Sequence, residues 1–181
     1  MPANRLSWAL VVATYMREDV LPRCLRLAAV QTRPPLEIIV VDSSPGWKIT
    51  RERVLREIAP LWPGIRWHYV EAERRSSASQ RNQGVRAASA DVVFLFDDDS
   101  LMYPNCADEI MRVYDADSDR SVVGVNATNV GVPPDASPGS AASVPTEFKT
   151  AKNYGHAARW VRRHLRADDI FIPYDRYLYP L

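Results

Sequence analysis

Three consecutive aspartates, Asp97, Asp98 and Asp99, follow directly on the apolar residues 92–96. A run this rich in β-branched and aromatic residues predicts a buried strand. Adjacent carboxylates repel one another, and ligands of open α/β sheets bind beyond the carboxyl ends of strands. The motif therefore predicts a divalent-metal site, with Mg²⁺ or Mn²⁺ favoured over Zn²⁺ because every ligand atom is oxygen. If strand alternation continues past Phe96, Asp97 and Asp99 point to one side and Asp98 to the other.

Arginines precede this motif, and their positive charges could bind an anion. The chain has no GxxxxGK or GxGxxG loop, so a bound nucleoside diphosphate would be neutralised by metal and arginine. Candidates are Arg74, Arg75 and Arg81, together with the N-terminus of a helix predicted to begin at Ser77. The alternative is that these arginines form a solvated helix face.

Two other predicted strands end in polar residues. The first runs into residues 14–19, and the second runs into Asp42 and Ser43. Asp42 could accept a hydrogen bond from a base N–H or a ribose hydroxyl, because it should share a sheet edge with Asp97 and Asp99. Equally, it could form an Asx-turn or cap the next helix.

Strands and helices alternate through the first hundred residues. Predicted strands cover 8–13, 37–41, 66–70 and 92–96, and predicted helices cover 19–31, 50–59 and 77–90. The last helix opens with a capping-box pattern at Ser77 and Gln80. This alternation predicts an α/β fold with a mostly parallel sheet flanked by helices. Further along, the sequence predicts a strand at 122–125, a mobile loop at 131–145 and a basic helix at 156–166.

Length and composition predict one domain over residues 1–181. A net charge of +1 excludes a general attraction to nucleic acid. Cys24 and Cys106 lack the spacing of a zinc pair or a disulfide, which fits a reducing cytosol. The longest early apolar run is too short to span a membrane, so we expect a cytoplasmic protein.

Four segments with their motifs in a fixed order resemble a known family. These are the strand ends at 11–15 and 37–44, the helix segment 79–85 and the aspartate run 94–99. The order is similar to that of the GT-A glycosyltransferases of family 2. The resemblance implies a nucleotide-sugar-binding half at 1–100 and a short acceptor-side half at 101–181.

The resemblance also implies a site for a UDP-, GDP- or dTDP-sugar donor. The implied donor-binding residues are Thr14, Tyr15, Arg17, Asp42, Ser43, Arg81, Asn82, Asp97 and Asp98. Asp99 and Asp97 would bind Mn²⁺ or Mg²⁺, which with arginine stabilises charge on the departing diphosphate. A carboxylate would deprotonate the acceptor hydroxyl as it attacks the anomeric carbon, inverting the configuration. The acceptor would be a glycan, a lipid-linked molecule or a small molecule.

The chain departs from the family pattern in two places. Ser43 replaces the second aspartate of the usual Asp-Asp-Gly-Ser turn, and no Gly-Gly segment is present. The acidic pair downstream, Asp168 and Asp169, supplies the candidate catalytic base, with Glu147 as a weaker candidate. The alternative for the pair is a helix-terminal or surface role.

The predicted basic helix at 156–166 carries four arginines opposite a narrow apolar stripe. Such a helix could lie on the inner face of an anionic membrane or hold a lipid-phosphate acceptor. The alternative is a solvated surface.

Two other functions compete with sugar transfer. A short second half without a base would leave a non-catalytic nucleotide-sugar-binding module or a truncated enzyme. The segment 94–100 also partly imitates haloacid-dehalogenase phosphotransferases, in which Asp97 would be the nucleophile and Asp99 the general acid.

Overall fold

The computed structural model describes residues 5–127 and 133–135. Strands and helices occur in the order β1 (Trp8–Thr14), α1 (Leu21–Ala29), β2 (Glu37–Asp42), α2 (Trp47–Glu57), a 3-10 turn (Ala59–Leu61), β3 (Arg66–Glu71), α3 (Ser77–Ala87), β4 (Val92–Asp97) and α4 (Cys106–Ala116). All the described residues lie within one unit, Met1–Ala141. The predicted single domain over 1–181 extends beyond them and stays a prediction.

In the described residues, β1 to β4 form one sheet in the order β3-β2-β1-β4, and every neighbouring pair is parallel. The two central strands are buried along almost their whole length. Strands covered on both faces read as continuous apolar runs, which is why β1 and β2 were visible in the sequence. The predicted α/β fold with a parallel sheet flanked by helices is confirmed.

Each face of the sheet packs against its own helices. On one face, buried residues of α1, α2 and α4 pack with alternate sheet residues such as Leu10 and Ile38. Trp8 of β1 stacks there on Phe94 of β4, with ring centroids 4.5 Å apart. The other face carries Val11, Ile39 and Val41.

Helix α3 approaches Val11 very closely at Gly84. A Cβ atom on Gly84 would lie 2.3 Å from Cγ1 of Val11. That separation is far inside van der Waals contact, so only glycine lets α3 lie at this depth on β1. The glycine of the helix motif therefore has a packing role that brings α3 against the strand ends.

Two buried charged groups lie away from the aspartate motif. Glu37, 1% exposed, accepts hydrogen bonds from the backbone N–H groups of Ser89 and Ala90 at 2.6 and 3.1 Å. Arg33, 5% exposed, contacts the Asp115 carboxylate of α4 at 2.6 Å and also donates to the Leu6 carbonyl. These contacts tie the connections between elements to the sheet.

Several predicted boundaries and elements differ from the structure. The helix predicted at 19–31 covers only Leu21–Ala29, the one predicted at 50–59 begins earlier, at Trp47, and the one predicted at 77–90 ends at Ala87. Helix α4 was not predicted.

The strand predicted at 122–125 is absent, and that segment is irregular. Asp117 accepts from the Val122 N–H at 2.7 Å, and Val123 is 85% exposed. The run of β-branched residues has no neighbouring strand in the described part of the chain.

The capping-box prediction is wrong. Ser76, one residue earlier than predicted, is the N-cap of α3, and no side-chain hydrogen bond caps the helix. The Gln80 side chain is buried and donates to main-chain carbonyls of β1 and β2 instead. The basic helix predicted at 156–166 lies outside the described residues, as does the predicted loop at 131–145 apart from residues 133–135.

Candidate functional site

The ends of three parallel strands meet at one edge of the sheet. In the pairing of β1 with its neighbours, Thr14 lies opposite Asp42 of β2, and Ala13 lies opposite Asp97 of β4. The polar residues that follow these strands are therefore brought together, as the sequence predicts. This edge is where ligands of open α/β sheets bind.

The three aspartates differ in exposure. Strand β4 ends at Asp97, and a turn follows in which the Ser100 N–H donates to the Asp97 carbonyl at 3.0 Å. Strand alternation thus stops before Asp98. The side chains of Asp97 and Asp99 are nevertheless 64% and 53% exposed, whereas that of Asp98 is 10% exposed. Two carboxylates face solvent, and the one between them faces the protein.

Each carboxylate of the motif contacts an arginine. Arg81 of α3 pairs with Asp97. Arg17, which precedes α1, lies with Nη2 3.1 Å from Oδ2 of Asp99 and with Nε 3.7 Å from Oδ1 of Asp98. The mutual repulsion of the carboxylates is thereby partly offset.

The inward-facing Asp98 is held by the end of β1. Thr14 is 4% exposed, and its Oγ1 donates to Oδ2 of Asp98 at 2.7 Å. This bond joins the predicted donor-binding residue of β1 to the turn that carries the aspartates. The bond thereby helps to hold the backbone from which the exposed side chains of Asp97 and Asp99 extend.

Gln80 joins the ends of β1 and β2 from α3. The side chain is 4% exposed, and Nε2 donates to the carbonyls of Thr14 and Val41, both at 2.8 Å. Sequence reasoning missed this contact. The signal was a polar side chain four residues before Gly84, on the same face of the helix that packs on β1. Ser43 lies alongside, and its N–H donates to the Thr14 carbonyl at 3.1 Å.

Asp42 is buried, at 2% exposed, and both its oxygens are engaged within the protein. Oδ1 accepts from the Ser44 N–H at 2.8 Å, and Oδ2 accepts from the Tyr69 hydroxyl at 2.6 Å. Burial, together with this bond to Asp42, raises the pKa of the Tyr69 phenol well above its usual value, so Tyr69 remains a donor. The alternative of an Asx-turn is what the structure shows, and contact of Asp42 with a nucleotide stays a prediction.

The turn after β1 has a strained backbone at Met16, which lies between two residues predicted to bind the nucleotide-sugar donor. Met16 has a φ of 52°, in the left-handed region, and its N–H donates to Oγ of Ser44 at 2.7 Å. On one side of it, the Tyr15 ring lies 3.7 Å below the Arg75 guanidinium. On the other side, Arg17 reaches the aspartates. Nothing in the types of Met16 and Ser44 indicated these roles, which depend on contacts distant in sequence.

Cys24 lies beneath the aspartate motif. Its thiol donates to the Asp97 carbonyl at 3.8 Å, and burial followed by the charges of the three aspartates raises its pKa to about 12. A thiol with so high a pKa is a poor nucleophile. Both cysteines are free in the structure.

The solvent-facing carboxylates fit a hard divalent cation. Mg²⁺ and Mn²⁺ prefer oxygen ligands, and Mg²⁺ is commonly held by one or two carboxylates with substrate phosphates and water completing the shell. Asp97 and Asp99 supply carboxylates of this kind. Within 5–127 and 133–135, no group of three or more His, Cys, Asp or Glu side chains converges.

The other predicted site residues divide into two groups. Asn82 is exposed on α3, beside Arg81 in sequence. The candidate bases Asp168, Asp169 and Glu147 lie outside the described residues. Among the described helices, none has the length and apolar character needed to cross a membrane.

Comparisons with known proteins point to one family. The model described as "Glycosyl transferase family 2" matches residues 9–166. The uncharacterized glycosyltransferase YwdF of Bacillus subtilis (strain 168) is 30% identical over 126 residues, which are 67% of this chain and 44% of YwdF.

A solved structure shows the same likeness. The mannosyltransferase PcManGT from Pyrobaculum calidifontis, in complex with GDP-Man and Mn²⁺, is 28% identical, with a TM-score of 0.53. The match covers 67% of this chain and 35% of PcManGT. The chain therefore spans less than half the length of these two relatives.

Proposed function

The chain belongs to glycosyl transferase family 2, and on that basis we propose that it transfers a sugar from a nucleoside diphosphate donor to an acceptor hydroxyl. Its sheet is that of the GT-A fold. The proposal is carried by one observation: at the meeting strand ends, the three aspartates lie beside Arg17 and Arg81. The family model covers this motif, which favours a glycosyltransferase over the haloacid-dehalogenase alternative.

The donor is a nucleotide sugar whose nucleotide is UDP, GDP or dTDP. The GDP-Man bound to PcManGT supports a donor of this class. The residues proposed to bind it are Thr14, Tyr15, Arg17, Asp42, Ser43, Arg81, Asn82, Asp97 and Asp98. Among them, Tyr15 has a half-buried ring. The guanidinium groups of the arginines can each donate two parallel hydrogen bonds to phosphate oxygens.

Asp99 and Asp97 are the proposed ligands of Mn²⁺ or Mg²⁺, and the Mn²⁺ of PcManGT supports this choice. The cation, when bound, stabilises negative charge on the departing nucleoside diphosphate. Arg17 and Arg81 act on the same charge from the protein side. Asp98 keeps the turn in place through its bond with Thr14, so that the exposed carboxylates remain pre-oriented.

The acceptor hydroxyl loses its proton to a carboxylate, and Asp168 or Asp169 is the proposed base. Attack on the anomeric carbon from the side opposite the leaving diphosphate inverts the configuration. The acceptor is a glycan, a lipid-linked molecule or a small molecule. A cytoplasmic location, with membrane contact through 156–166, belongs to the same proposal.

A second candidate is a nucleotide-sugar-binding module without catalysis. This candidate is compatible with the matches, which cover 44% of YwdF and 35% of PcManGT. Metal-dependent hydrolysis of a sugar nucleotide, or transfer to any acceptor, would exclude this candidate.

Thermal unfolding with Mn²⁺ or Mg²⁺ plus UDP, GDP or dTDP tests the donor site. A nucleotide at about 100 times its Kd adds about 2.7 kcal/mol, which for a chain of this size raises Tm by about 5–10 °C. We expect a rise that needs both metal and one nucleotide. Asp99→Ala should abolish it, and the control Asp119→Ala, in the turn after α4, should retain it. No rise with any nucleotide would contradict the proposed function.

A further inference from the structure

Arg17 and Arg81 contact the same carboxylates that the proposed function assigns to a cation. Arg17, with a side chain 48% exposed, lies against Asp98 and Asp99, and Arg81, 34% exposed, lies against Asp97. Both exposed carboxylates are thus shared between an arginine and the proposed metal site. The pairing was not visible in the sequence, because Arg17 and Asp99 are 82 residues apart.

An arginine and a divalent cation compete for one carboxylate. With Nη2 of Arg17 3.1 Å from Oδ2 of Asp99, a cation on that carboxylate would stand within a few ångströms of a fixed positive charge. Like charges at such a separation repel, and partial exposure screens the repulsion only in part. The arginine therefore weakens the binding of a cation that arrives alone.

A diphosphate changes this balance. Phosphate oxygens accept two parallel hydrogen bonds from one guanidinium, and the pair is stronger than a neutral hydrogen bond. Both arginines are partly exposed, so their guanidinium groups can reach a ligand at the sheet edge while their stems stay in place. An arginine that pairs with phosphate leaves its carboxylate free for the cation.

We propose that Arg17 and Arg81 exchange partners when the donor binds, passing from the aspartates to the diphosphate, and so couple binding of the cation to binding of the donor. The inference rests on the proposed function, since it needs a nucleoside diphosphate and a divalent cation at this edge. Coupling is reciprocal: the donor strengthens cation binding by the same factor by which the cation strengthens donor binding. The arginines supply part of this factor, beyond the direct bonds between cation and phosphate.

The test is the affinity for Mn²⁺ alone, measured on the full chain by the paramagnetic resonance signal of free Mn²⁺ at low ionic strength. Arg17→Gln and Arg81→Gln should each bind Mn²⁺ more tightly than the wild type, by about 2- to 5-fold, the range expected from a partly exposed ion pair. In these variants, the increase in Mn²⁺ affinity on adding UDP, GDP or dTDP should be smaller than in the wild type. A residue that merely supported the site would change Mn²⁺ affinity in the opposite direction.

Two further variants separate a local from a general effect of charge. Arg17→Lys keeps the positive charge and should remain near the wild-type affinity. Arg112→Gln removes one positive charge from α4, where Arg112 pairs with Asp108 and Glu109, and should leave Mn²⁺ affinity unchanged. Equal tightening by Arg112→Gln would overturn the exchange, because the effect would then come from net charge.

The results distinguish failure of the inference from failure of the proposed function. If the wild type binds Mn²⁺ with a nucleotide but neither glutamine variant tightens Mn²⁺ alone, the exchange is overturned and the donor site stands. If the wild type binds no Mn²⁺ with any of the nucleotides, both are overturned.

Discussion

Thr14 is a single residue on which the geometry of the aspartate turn depends. Thr14→Val keeps the shape of the side chain but removes the donor to Asp98, leaving a nearly buried carboxylate oxygen short of a partner. We expect a loss of about 1–3 kcal/mol in the free energy of unfolding, measured with urea. The rise in Tm with metal and nucleotide should also shrink. The control Thr14→Ser retains the hydroxyl and loses only the methyl group, so a smaller loss in Thr14→Val than in Thr14→Ser would show that the methyl group, not the bond, matters.

Glu37 makes stability depend on pH. Burial raises the pKa of its carboxyl, but the N–H and hydroxyl of Ser89 and the charge of Arg66 lower it more, so the pKa lies below its ordinary value. A depressed pKa gives stability that is present above the unfolded-state pKa, near 4.5, and is lost as pH falls through the folded-state value.

We therefore expect Glu37→Gln to lower the free energy of unfolding at pH 7 by about 1–3 kcal/mol. It should also flatten the fall in stability as the pH drops below about 5. Urea unfolding at a series of pH values measures both. A variant whose stability runs parallel to that of the wild type at every pH would contradict the assignment to Glu37.

Residue types revealed part of the site. Carboxylates after a buried strand indicated the aspartate motif, because that combination has little value for stability alone. The roles of Ser44 and Met16 were not predictable, since they contact each other across 28 residues of sequence. Gln80 left one signal, its place on the same helix face as Gly84, but its carbonyl partners lie in β1 and β2. The partners of Arg17 were missed for the same reason.

Helix α3 depends on one glycine for its place on the sheet. Gly84→Ala would put a Cβ 2.3 Å from a methyl group of Val11, which forces the helix or the strand to move. We expect a loss of about 1–3 kcal/mol in the free energy of unfolding, typical of overpacking.

The control for this change is Gly64→Ala, where an added Cβ meets no atom within 4 Å. It should change stability by no more than about 0.5 kcal/mol. The double variant Gly84→Ala with Val11→Ala should recover part of the loss by making room for the new methyl group. If Gly84→Ala is as stable as Gly64→Ala, the close approach is not restrictive.

Strands and helices were predictable where their packing produces a recognisable pattern in the local sequence. The central strands β1 and β2 were found because parallel strands covered on both faces are continuously apolar. The start of α2 was missed, because no side chain caps it at Gly46. Helix α4 was missed although Ala107, Ile110 and Met111 give it one buried face. The valines at 122–125 suggested a strand, but a strand also needs a neighbour, which local sequence does not report.

At the scale of the whole molecule, one ion pair joins segments that are far apart in the chain. Arg33 donates hydrogen bonds to the Leu6 carbonyl and to the Asp115 carboxylate. The bond from Arg33 to Asp115 holds the pKa of the Asp115 carboxyl below its usual value. Asp115→Asn should cost about 1–3 kcal/mol, because it leaves the buried guanidinium without its carboxylate. The control is Asp108→Asn, which weakens exposed pairs with Arg5 and Arg112 and should cost less than about 1 kcal/mol.

Urea unfolding of the two variants decides whether the burial of Arg33 matters. Equal losses would mean that Arg33 is stabilised by its carbonyl contact instead. Such a pair was not visible in the sequence, because Arg33 and Asp115 are 82 residues apart and each residue type is ordinarily exposed.

The two cysteines bear on chemical labelling. Cys24 is 2% exposed with a pKa near 12, whereas Cys106, at the start of α4, is partly accessible and its pKa is raised only by burial. A maleimide dye at neutral pH should therefore attach to Cys106 well before Cys24. The native chain thus offers a single-site fluorescent conjugate, made without substitution, whose thiol beneath the aspartates remains unmodified.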